Sequence, residues 1–340
     1  MFKVLASAPT RVDLGGGTLD ITPLHHLLEH KATVNFSVSL TASVTLEPSS
    51  DGRFEVLSED QGVKVRGTWD EVRTQTELPL FGLLLSSGWS PDLPALRITT
   101  KAKSPAGAGL GGSSCIGIAF AGALTHLRAK LTNESSRRGR DLVQQVQDVE
   151  TRVIRAPTGC QDYWGALNGG LNIIRYAPGG IQVTNVPLAK VKGVGTGLIL
   201  CFSGKSRASA ANNWQIFRRA FDGDTHVLRT LNRIGLTAEA LADAVMRGDL
   251  AGIFKASRDE WSLRKELWAD IETPETKGIE QAALNAGAAF ARVCGAGGGG
   301  VMAIFVPDGD KTGVEAAVRR AGGTVLDGKA TDTGLEVRDA

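Results

Sequence analysis

The chain has 340 residues, of which 42% are apolar and 22% charged, with a formal net charge of +2. This length is enough for two domains with a sizeable core, and the near-neutral balance excludes the strong global field typical of proteins that bind nucleic acid or membranes. The four cysteines lie far apart and form no C-x-x-C pair, which excludes the usual zinc spacings and a disulfide framework and predicts a cytoplasmic location.

The N-terminal half predicts strands followed by helices. Apolar and polar residues alternate strictly over Val34–Leu46, which predicts a long antiparallel strand with one buried face. Further strands are predicted at Phe54–Leu57 and Val63–Val65 (a hairpin), Leu96–Lys101, Gly169–Tyr176 and Ile181–Val186. Helices are predicted at Leu78–Leu85, Ser113–Leu131 and Asp141–Ile154. The second of these is apolar nearly all round, as a buried helix is.

The stretch Asn185–Val194 is the candidate domain boundary, dividing the chain into residues 1–188 and 189–340. A buried strand at Leu198–Phe202 follows, and then several helices up to about Ala288. Strand, loop and strand are predicted over Phe290–Val306, then a helix and a final hairpin. Strands grouped before helices, rather than alternating with them, indicate an α+β fold.

A glycine-rich loop stands directly before the buried helix, in the sequence SPAGAGLGGSSCIGIAF. Gly107–Gly112 and Gly295–Gly300 each contain G-x-G-x-x-G, but a dinucleotide fold also needs a helix and then a second parallel strand. Neither segment is followed by that pattern, so both matches are interpreted as accidental. Gly204–Ser206 resembles the end of a P-loop, yet Ile199 stands where the first glycine belongs.

The first loop still has a physical use. A glycine-rich loop that opens a helix presents several N–H groups and the positive end of the helix dipole to an anion. Ser113 and Ser114 add hydroxyls at the same end, where they could cap the helix or bind phosphate and a metal. Phosphate binding is favoured over a purely structural turn.

Four segments together resemble the GHMP kinases, the family of galactokinase, homoserine kinase, mevalonate kinase and phosphomevalonate kinase. PAGAGLGGSS (Pro105–Ser114) resembles the family's P-x-x-x-G-L-G-S-S loop, and APTRVDLGGGTLD (Ala8–Asp20) its N-terminal substrate motif. ARVCGAGGGG (Ala291–Gly300) resembles its C-terminal glycine motif. VETRVIRAPTGCQDYWGALNGGLNII is similar to its acidic segment. The resemblance covers nearly the whole chain and implies a two-domain α+β fold, with an N-terminal domain like domain 2 of ribosomal protein S5 and a ferredoxin-like C-terminal domain.

The resemblance also implies the cofactors, ATP and Mg²⁺. Ser114 and Glu150 match the family's magnesium ligands, although Gly112 stands where most members begin the serine pair, so Ser113 could exchange roles with Ser114. By its helix position alone Glu150 would be a solvated flank charge. The residues matched to the ATP loop are Pro105, Gly107, Ala108, Gly109, Leu110, Gly111, Gly112, Ser113 and Ser114.

Asp162 matches the carboxylate that takes the proton of the acceptor hydroxyl or orients that hydroxyl. Alone, Asp162 would read as part of a polar turn. Arg11 stands where mevalonate-type members carry a lysine near that carboxylate. A fixed cation there would keep the carboxylate ionised and stabilise charge in the transition state. The alternative for Arg11 is a surface residue at the start of a strand.

Acceptor binding is implied for Gly17, Thr18, Asp20, Gly295, Ala296, Gly297 and Gly298. In the branch that phosphorylates heptose 7-phosphate or fucose, the first motif reads G-G-G-T-D, whereas here Leu19 precedes Asp20. That branch usually has Lys where Cys160 stands. Lys205 and Arg207 could meet a phosphate or begin a solvated helix. His25 and His26 could contact sugar hydroxyls or be structural.

The predicted function is an ATP- and Mg²⁺-dependent kinase that phosphorylates a hydroxyl of a sugar or sugar phosphate, including the anomeric hydroxyl. The alternatives are a mevalonate- or homoserine-type alcohol kinase of the same fold, and a catalytically silent sugar and ATP sensor. Retention of Glu150 and Asp162 argues against the sensor. Adenine contacts are expected between Phe54 and Trp69. The expected partner is a small-molecule acceptor, with no nucleic acid, no membrane span or signal peptide, and a monomer or homodimer as the assembly.

Overall fold

The computed structural model describes residues 2–177, 179–205, 210–307 and 309–340. The strands in these ranges are β1 (Val4–Gly15), β2 (Ala32–Pro48), β3 (Phe54–Ser58), β4 (Val63–Gly67), β5 (Leu96–Ala102), β6 (Leu171–Ala177), β7 (Gly180–Val186), β8 (Leu198–Phe202), β9 (Phe290–Val293), β10 (Val301–Phe305), β11 (Thr324–Leu326) and β12 (Glu336–Asp339). The helices are α1 (Trp69–Thr74), α2 (Pro79–Gly88), α3 (Gly112–Thr132), α4 (Arg140–Ile154), α5 (Gln161–Asn168), α6 (Ala210–Phe221), α7 (Thr225–Arg247), α8 (Leu250–Leu267), α9 (Pro274–Asn285) and α10 (Lys311–Arg320).

The larger sheet is built around β2. This strand pairs with β1 along one edge, and with β6 and then β5 along the other, in antiparallel register. The sheet runs β12-β1-β2-β5-β3-β4, with β6 added beside β2 and β7 beside β6. The predicted long strand is confirmed. Its first residues are buried on both faces, because their polar side chains hydrogen-bond into the site, Thr33 to Gly16 O and Asn35 to Gln161 O.

Helices cover the larger sheet around α3. α3 packs across β1 and β2, and α2, α4 and α5 pack around it. Twelve residues of α3, from Ser114 to Leu127, are buried, which confirms the buried helix predicted from its all-round apolar sequence. The N-terminus of α3 therefore has a fixed position next to β1 and α5.

The smaller sheet runs β11-β8-β10-β9 and is antiparallel. α9 and α10 pack beside it, while α7 packs on β2 and α8 on β1 of the larger sheet. Apolar residues from both sheets and from α7 and α8 form one continuous core. Two sheets with grouped helices give the α+β fold that the sequence predicts.

The predicted final hairpin is wrong. β11 pairs with β8 of the smaller sheet, whereas β12 pairs with the edge of β1 in the larger sheet. Strands of three and four residues carry too little alternation to identify their partners, and the free edge of β1 lies far away in the sequence. The division at residues 188 and 189 stays a prediction. Within the described residues, no helix is both long and apolar enough to cross a membrane.

Candidate active site

A cavity of about 490 Å³ lies where the four motif segments meet. The loop before α3, the turn after β1, the segment from α4 to α5 and the loop after β9 all contribute to its lining. Most residues assigned from the motifs line it; Leu110, Gly297 and Gly298 do not. Leu110 is 1% exposed and belongs to the core. The fold therefore brings the separate motifs into one cleft.

The loop before α3 approaches its neighbours closely. A Cβ on Gly109 would lie 2.6 Å from Cys294 O, and a Cβ on Gly111 would lie 2.8 Å from Asp162 Cγ. Both residues have φ of +75°, which side chains other than glycine rarely adopt. Gly111 caps α3 without a side-chain hydrogen bond, so the amide groups at this helix end are open to an anion in the cleft.

The Glu150 carboxylate accepts hydrogen bonds from three hydroxyl groups. Ser113 Oγ donates to Oε1 at 2.5 Å, and Ser114 Oγ and Tyr163 Oη donate to Oε2 at 2.8 and 2.7 Å. Glu150 is 7% exposed, so the solvated flank position is wrong. Burial raises the pKa of Glu150, and the hydroxyl donors partly offset that effect. The serines bond to Glu150 and do not cap α3.

These oxygen donors fit Mg²⁺. Hydroxyl and carboxylate oxygens are hard ligands, and Mg²⁺ usually takes one or two protein oxygens and completes its shell with water and substrate phosphates. Among the described residues, no group of three or more His, Cys, Asp or Glu side chains could hold a metal. Ser114 and Glu150 lie beside the open amide groups of α3, where a phosphate would supply the remaining ligands.

Arg11 joins the candidate catalytic carboxylate to the loop before α3. Its Nε donates to Asp162 Oδ1 at 2.7 Å, and its Nη1 donates to Gly109 O at 2.7 Å. Arg11 is 4% exposed and lies within β1, so the surface position is wrong. Burial alone would lower the pKa of Arg11, but the carboxylates of Asp162 and Asp13 raise it overall. Asp162 lies in the first turn of α5 rather than in a polar turn.

The turn after β1 places a second carboxylate in the cleft. Asp20 is buried, and its Oδ2 accepts a hydrogen bond from Gln161 N at 3.0 Å. Burial, reinforced by the charge of Asp162, raises the pKa of Asp20 to about 6. Leu19, the extra residue, packs into an apolar cluster on the other side. Asp20 consequently lines the cleft despite the insertion.

Thr18 and Asn213 close the same end of the cleft. Thr18 Oγ1 donates to Asn213 Oδ1 at 3.0 Å, and both residues line the cavity. Lys205 instead pairs with Glu275 at 2.6 Å, outside the cavity lining. Arg207 lies outside the described residues. The sequence did not single out Asn213, because a polar residue on a helix carries no signal by itself.

The C-terminal glycine segment touches the loop before α3. Val301 N donates to Ala108 O at 2.8 Å, and Gly295 and Ala296 line the cleft. Gly297 and Gly298 face away from it: a Cβ on Gly297 would collide with Ile271, and Gly298 N donates to Ile271 O at 2.8 Å. Acceptor binding by Gly297 and Gly298 stays a prediction.

A buried ion cluster holds the glycine turn after β1 and the glycine loop after β9 in place. Asp13 Oδ2 accepts from Arg292 Nη2 at 2.8 Å, and Asp13 Oδ1 accepts from Gly295 N at 3.0 Å. Arg292 also pairs with Glu260 at 2.9 Å, and Glu260 Oε1 accepts from Gly16 N at 3.0 Å. Burial alone would raise the pKa of Asp13, but the positive charges around it, of which Arg292 has the largest effect, lower it overall. The sequence analysis did not identify this cluster, although a charged residue within each of the apolar strand sequences VDLG and FARV indicates a buried ion pair.

The far end of the cleft lies over the start of α2. Leu78, Pro79, Leu80 and Phe81 line it, together with Asp60 and Gln61. The last two fall within the segment expected to contact adenine, whereas the α2 residues do not. His25 stacks on Tyr176 with ring centroids 4.7 Å apart, outside the cavity lining.

Comparison with known proteins gives consistent matches. Residues 79–170 match the GHMP kinases N terminal domain, and residues 240–324 match the GHMP kinases C terminal model, together about half of the chain. A D-glycero-alpha-D-manno-heptose 7-phosphate kinase of Campylobacter jejuni is 23% identical, with 99% of each chain covered. A mevalonate kinase of Thermococcus sibiricus is 22% identical, again with 99% of each covered. The crystal structure of Lactococcus lactis galactokinase complexed with galactose has a TM-score of 0.77 at 17% identity, covering 98% of this chain and 95% of that one.

Proposed function

The chain belongs to the GHMP kinase family and is therefore a phosphotransferase, and from this premise we propose that it transfers the γ-phosphate of ATP to a hydroxyl of a sugar or sugar phosphate. The observation that carries the proposal is the bridge made by Arg11, which contacts Asp162 and the loop before α3 at the same time. A carboxylate for the acceptor and a cradle for the phosphates are thereby held at a fixed separation.

The phosphate side is assigned to the loop before α3. Its glycines let the backbone approach a triphosphate closely, and the open N-terminus of α3 offers N–H groups and a positive dipole end. Ser114 and Glu150 are the residues that would hold Mg²⁺, which when bound neutralises charge on the phosphates. Ser113 stays the alternative to Ser114, since both hydroxyls reach Glu150.

The acceptor side is assigned to Asp162 and Arg11. Asp162 orients the acceptor hydroxyl or takes its proton, a contribution of about 10²- to 10⁴-fold in rate for a positioned base. Arg11 holds that carboxylate and lies next to the phosphate loop, where a fixed positive charge stabilises the transferring group. The proton acceptor, the cation and the cradle converge in one cleft, which favours a kinase over a silent sensor.

The acceptor end favours a polyhydroxylated molecule. Thr18, Asp20, Gln161 and Asn213 all line it and all carry oxygen or nitrogen groups able to hydrogen-bond hydroxyls. The similarity to a heptose 7-phosphate kinase supports a sugar phosphate acceptor, and the proposal includes transfer to an anomeric hydroxyl. The similarity to mevalonate kinases keeps a mevalonate- or homoserine-type alcohol as the second candidate.

The proposal is tested by Mg²⁺-dependent ADP release across an acceptor panel. The panel contains galactose, fucose, mannose, heptose 7-phosphate, mevalonate and homoserine, each with and without Mg²⁺. Strong release with one sugar or sugar phosphate, and none without Mg²⁺, is the expected result. Release with mevalonate or homoserine alone would move the chain to the alcohol-kinase alternative, and ATP binding without release on any member would favour the sensor.

A further inference from the structure

Glu150 is a buried carboxylate that accepts hydrogen bonds from three hydroxyl groups. Within the described ranges no lysine, arginine or histidine forms an ion pair with it. Burying a carboxylate without a counter-charge is costly, and three hydroxyl donors at 2.5–2.8 Å compensate part of that cost. The direction of the Glu150 carboxylate is therefore set by these three donors.

The third donor differs from the two serines in origin and exposure. Ser113 and Ser114 come from the start of α3, on the side of the phosphate loop. Tyr163 comes from α5 and is 0% exposed, and its Oη also lies 3.3 Å from Thr158 Oγ1. It reaches Glu150 from α5, the helix that also carries Asp162. Neither the glycine motif nor the acidic-segment resemblance assigned it a role.

Tyr163 also adjoins the candidate catalytic residue. It follows Asp162 in the first turn of α5, so one turn of helix directs a carboxylate to the acceptor end and a phenol to Glu150. A rigid aromatic ring with no exposure cannot reorient without disturbing α5. The hydrogen bond between Tyr163 and Glu150 thus links the magnesium-side carboxylate to the helix that carries Asp162.

We propose that Tyr163 is a positioning residue, which orients the Glu150 carboxylate toward the divalent cation that accompanies ATP. The inference rests on the proposed function and goes beyond it, because it assigns a role to a residue of the acidic segment that the resemblance leaves without one. Groups that hydrogen-bond to a metal ligand fix its direction, and their loss typically reduces metal affinity about 10- to 100-fold. Tyr163→Phe removes the phenol oxygen and keeps the packed ring.

The chain offers a matched control, because it contains only two tyrosines. Tyr176 is 3% exposed, and its Oη donates to Thr33 Oγ1 at 3.0 Å, away from Glu150. Tyr176→Phe therefore removes a buried phenol oxygen of the same kind without touching the proposed site. Both variants are made in the full chain.

The first measurement is calorimetric titration of ATP into each protein at stepped Mg²⁺ concentrations. Tyr163→Phe should need about 10-fold more Mg²⁺ to tighten ATP binding, while its Mg²⁺-free affinity for ATP and its acceptor KM stay unchanged. Tyr176→Phe should behave as the wild type. A Mg²⁺ dependence in Tyr163→Phe equal to that of the wild type overturns the inference.

The second measurement needs no Tyr163 variant and so covers the case in which that variant fails to fold. Wild-type protein labelled with 3-fluorotyrosine gives two ¹⁹F signals, and Tyr176→Phe assigns the one from Tyr163. Addition of Mg²⁺ to the ATP-bound protein should move the Tyr163 signal and leave the other in place. An unmoved Tyr163 signal contradicts the inference.

Mg²⁺-dependent ATP binding by the wild type separates the proposed function from the role of Tyr163. If wild-type protein shows no Mg²⁺-dependent binding of ATP, the proposed function and the inference about Tyr163 are both overturned. If the wild type binds ATP with Mg²⁺ and phosphorylates an acceptor, while Tyr163→Phe and Tyr176→Phe share its Mg²⁺ dependence, only the inference about Tyr163 is overturned.

Discussion

Replacing Asp162 by Asn separates its chemical role from its structural one. The amide keeps the size of the side chain and an oxygen that can accept from Arg11 Nε, but it removes the negative charge and the proton acceptor. If Asp162 takes the proton of the acceptor hydroxyl or orients that hydroxyl, kcat should fall about 10²- to 10⁴-fold. ATP binding should not weaken, because the proposed function assigns the phosphate contacts to the loop before α3.

The stability cost of the same change follows from the exposure of the pair. Removing one partner of a fully buried ion pair costs about 3–5 kcal/mol. The Asp162 side chain is 23% exposed, whereas that of Arg11 is 4% exposed. Arg11 also keeps its hydrogen bond to Gly109 O. Asp162→Asn should therefore lower the free energy of unfolding by only about 1.5–3 kcal/mol, the value of one hydrogen bond to a charged group.

The assay pairs ADP release on the accepted substrate with calorimetric ATP binding and thermal unfolding. The expected combination is lost turnover, retained ATP affinity and a modest fall in Tm. Near wild-type turnover in Asp162→Asn would refute the role of Asp162. Lost turnover together with lost ATP binding would show that the residue supports the nucleotide site instead.

Three further predictions concern the cleft. Ser114→Ala should raise the Mg²⁺ requirement for ATP binding more than Ser113→Ala, and the reverse order would make Ser113 the ligand. As pH falls through about 6 the acceptor KM should rise as Asp20 takes a proton, whereas Asp20→Asn should have a high and flat KM. The pKa of Asp20 in the folded protein, about 6, lies above the ordinary 3.8. The stability that the protonated side chain contributes is therefore complete below pH 3.8 and lost as pH rises through 6. Unfolding titrations should show that the free energy of unfolding of Asp20→Asn increases by about 3 kcal/mol relative to that of the wild type across this range. Gly17→Ala puts a Cβ against the guanidinium nitrogen Nη1 of Arg264 on α8, and it should raise the acceptor KM without changing ATP binding. The control is Gly278→Ala, where a Cβ in α9 meets open space; this variant should only add about 0.5–1 kcal/mol to the free energy of unfolding.

Local patterns predict the elements whose sequence repeats with the period of a strand or stays apolar over a whole helix. The alternation over Val34–Leu46 and the apolar character of Ser113–Leu131 depend on neighbours within one strand or one helix, so both were identifiable. The partners of β11 and β12 were not, because pairing between short strands depends on which sheet edges remain free after the larger sheet has formed. That information is spread over the whole chain.

The site residues also divide into those that local motifs identify and those whose contacts depend on the whole fold. Arg11, Glu150 and Asp162 were found through motifs, and the structure places them in one cleft. The ion pair between Asp13 and Arg292 joins residues 279 positions apart, and no short pattern links them. Tyr163 was equally hidden, since a tyrosine in a helix is ordinarily a core residue and its bond to Glu150 depends on how α4 and α5 pack.

The most direct test of the central claim is ³¹P NMR of wild-type protein with ATP, Mg²⁺ and the accepted sugar or sugar phosphate. Transfer to a hydroxyl predicts one new phosphomonoester resonance that grows in step with ADP, and growth at least about 100-fold slower in Asp162→Asn. ADP accompanied only by inorganic phosphate, with no new ester at any acceptor concentration, would contradict the assignment of this cleft to phosphoryl transfer between ATP and a hydroxyl.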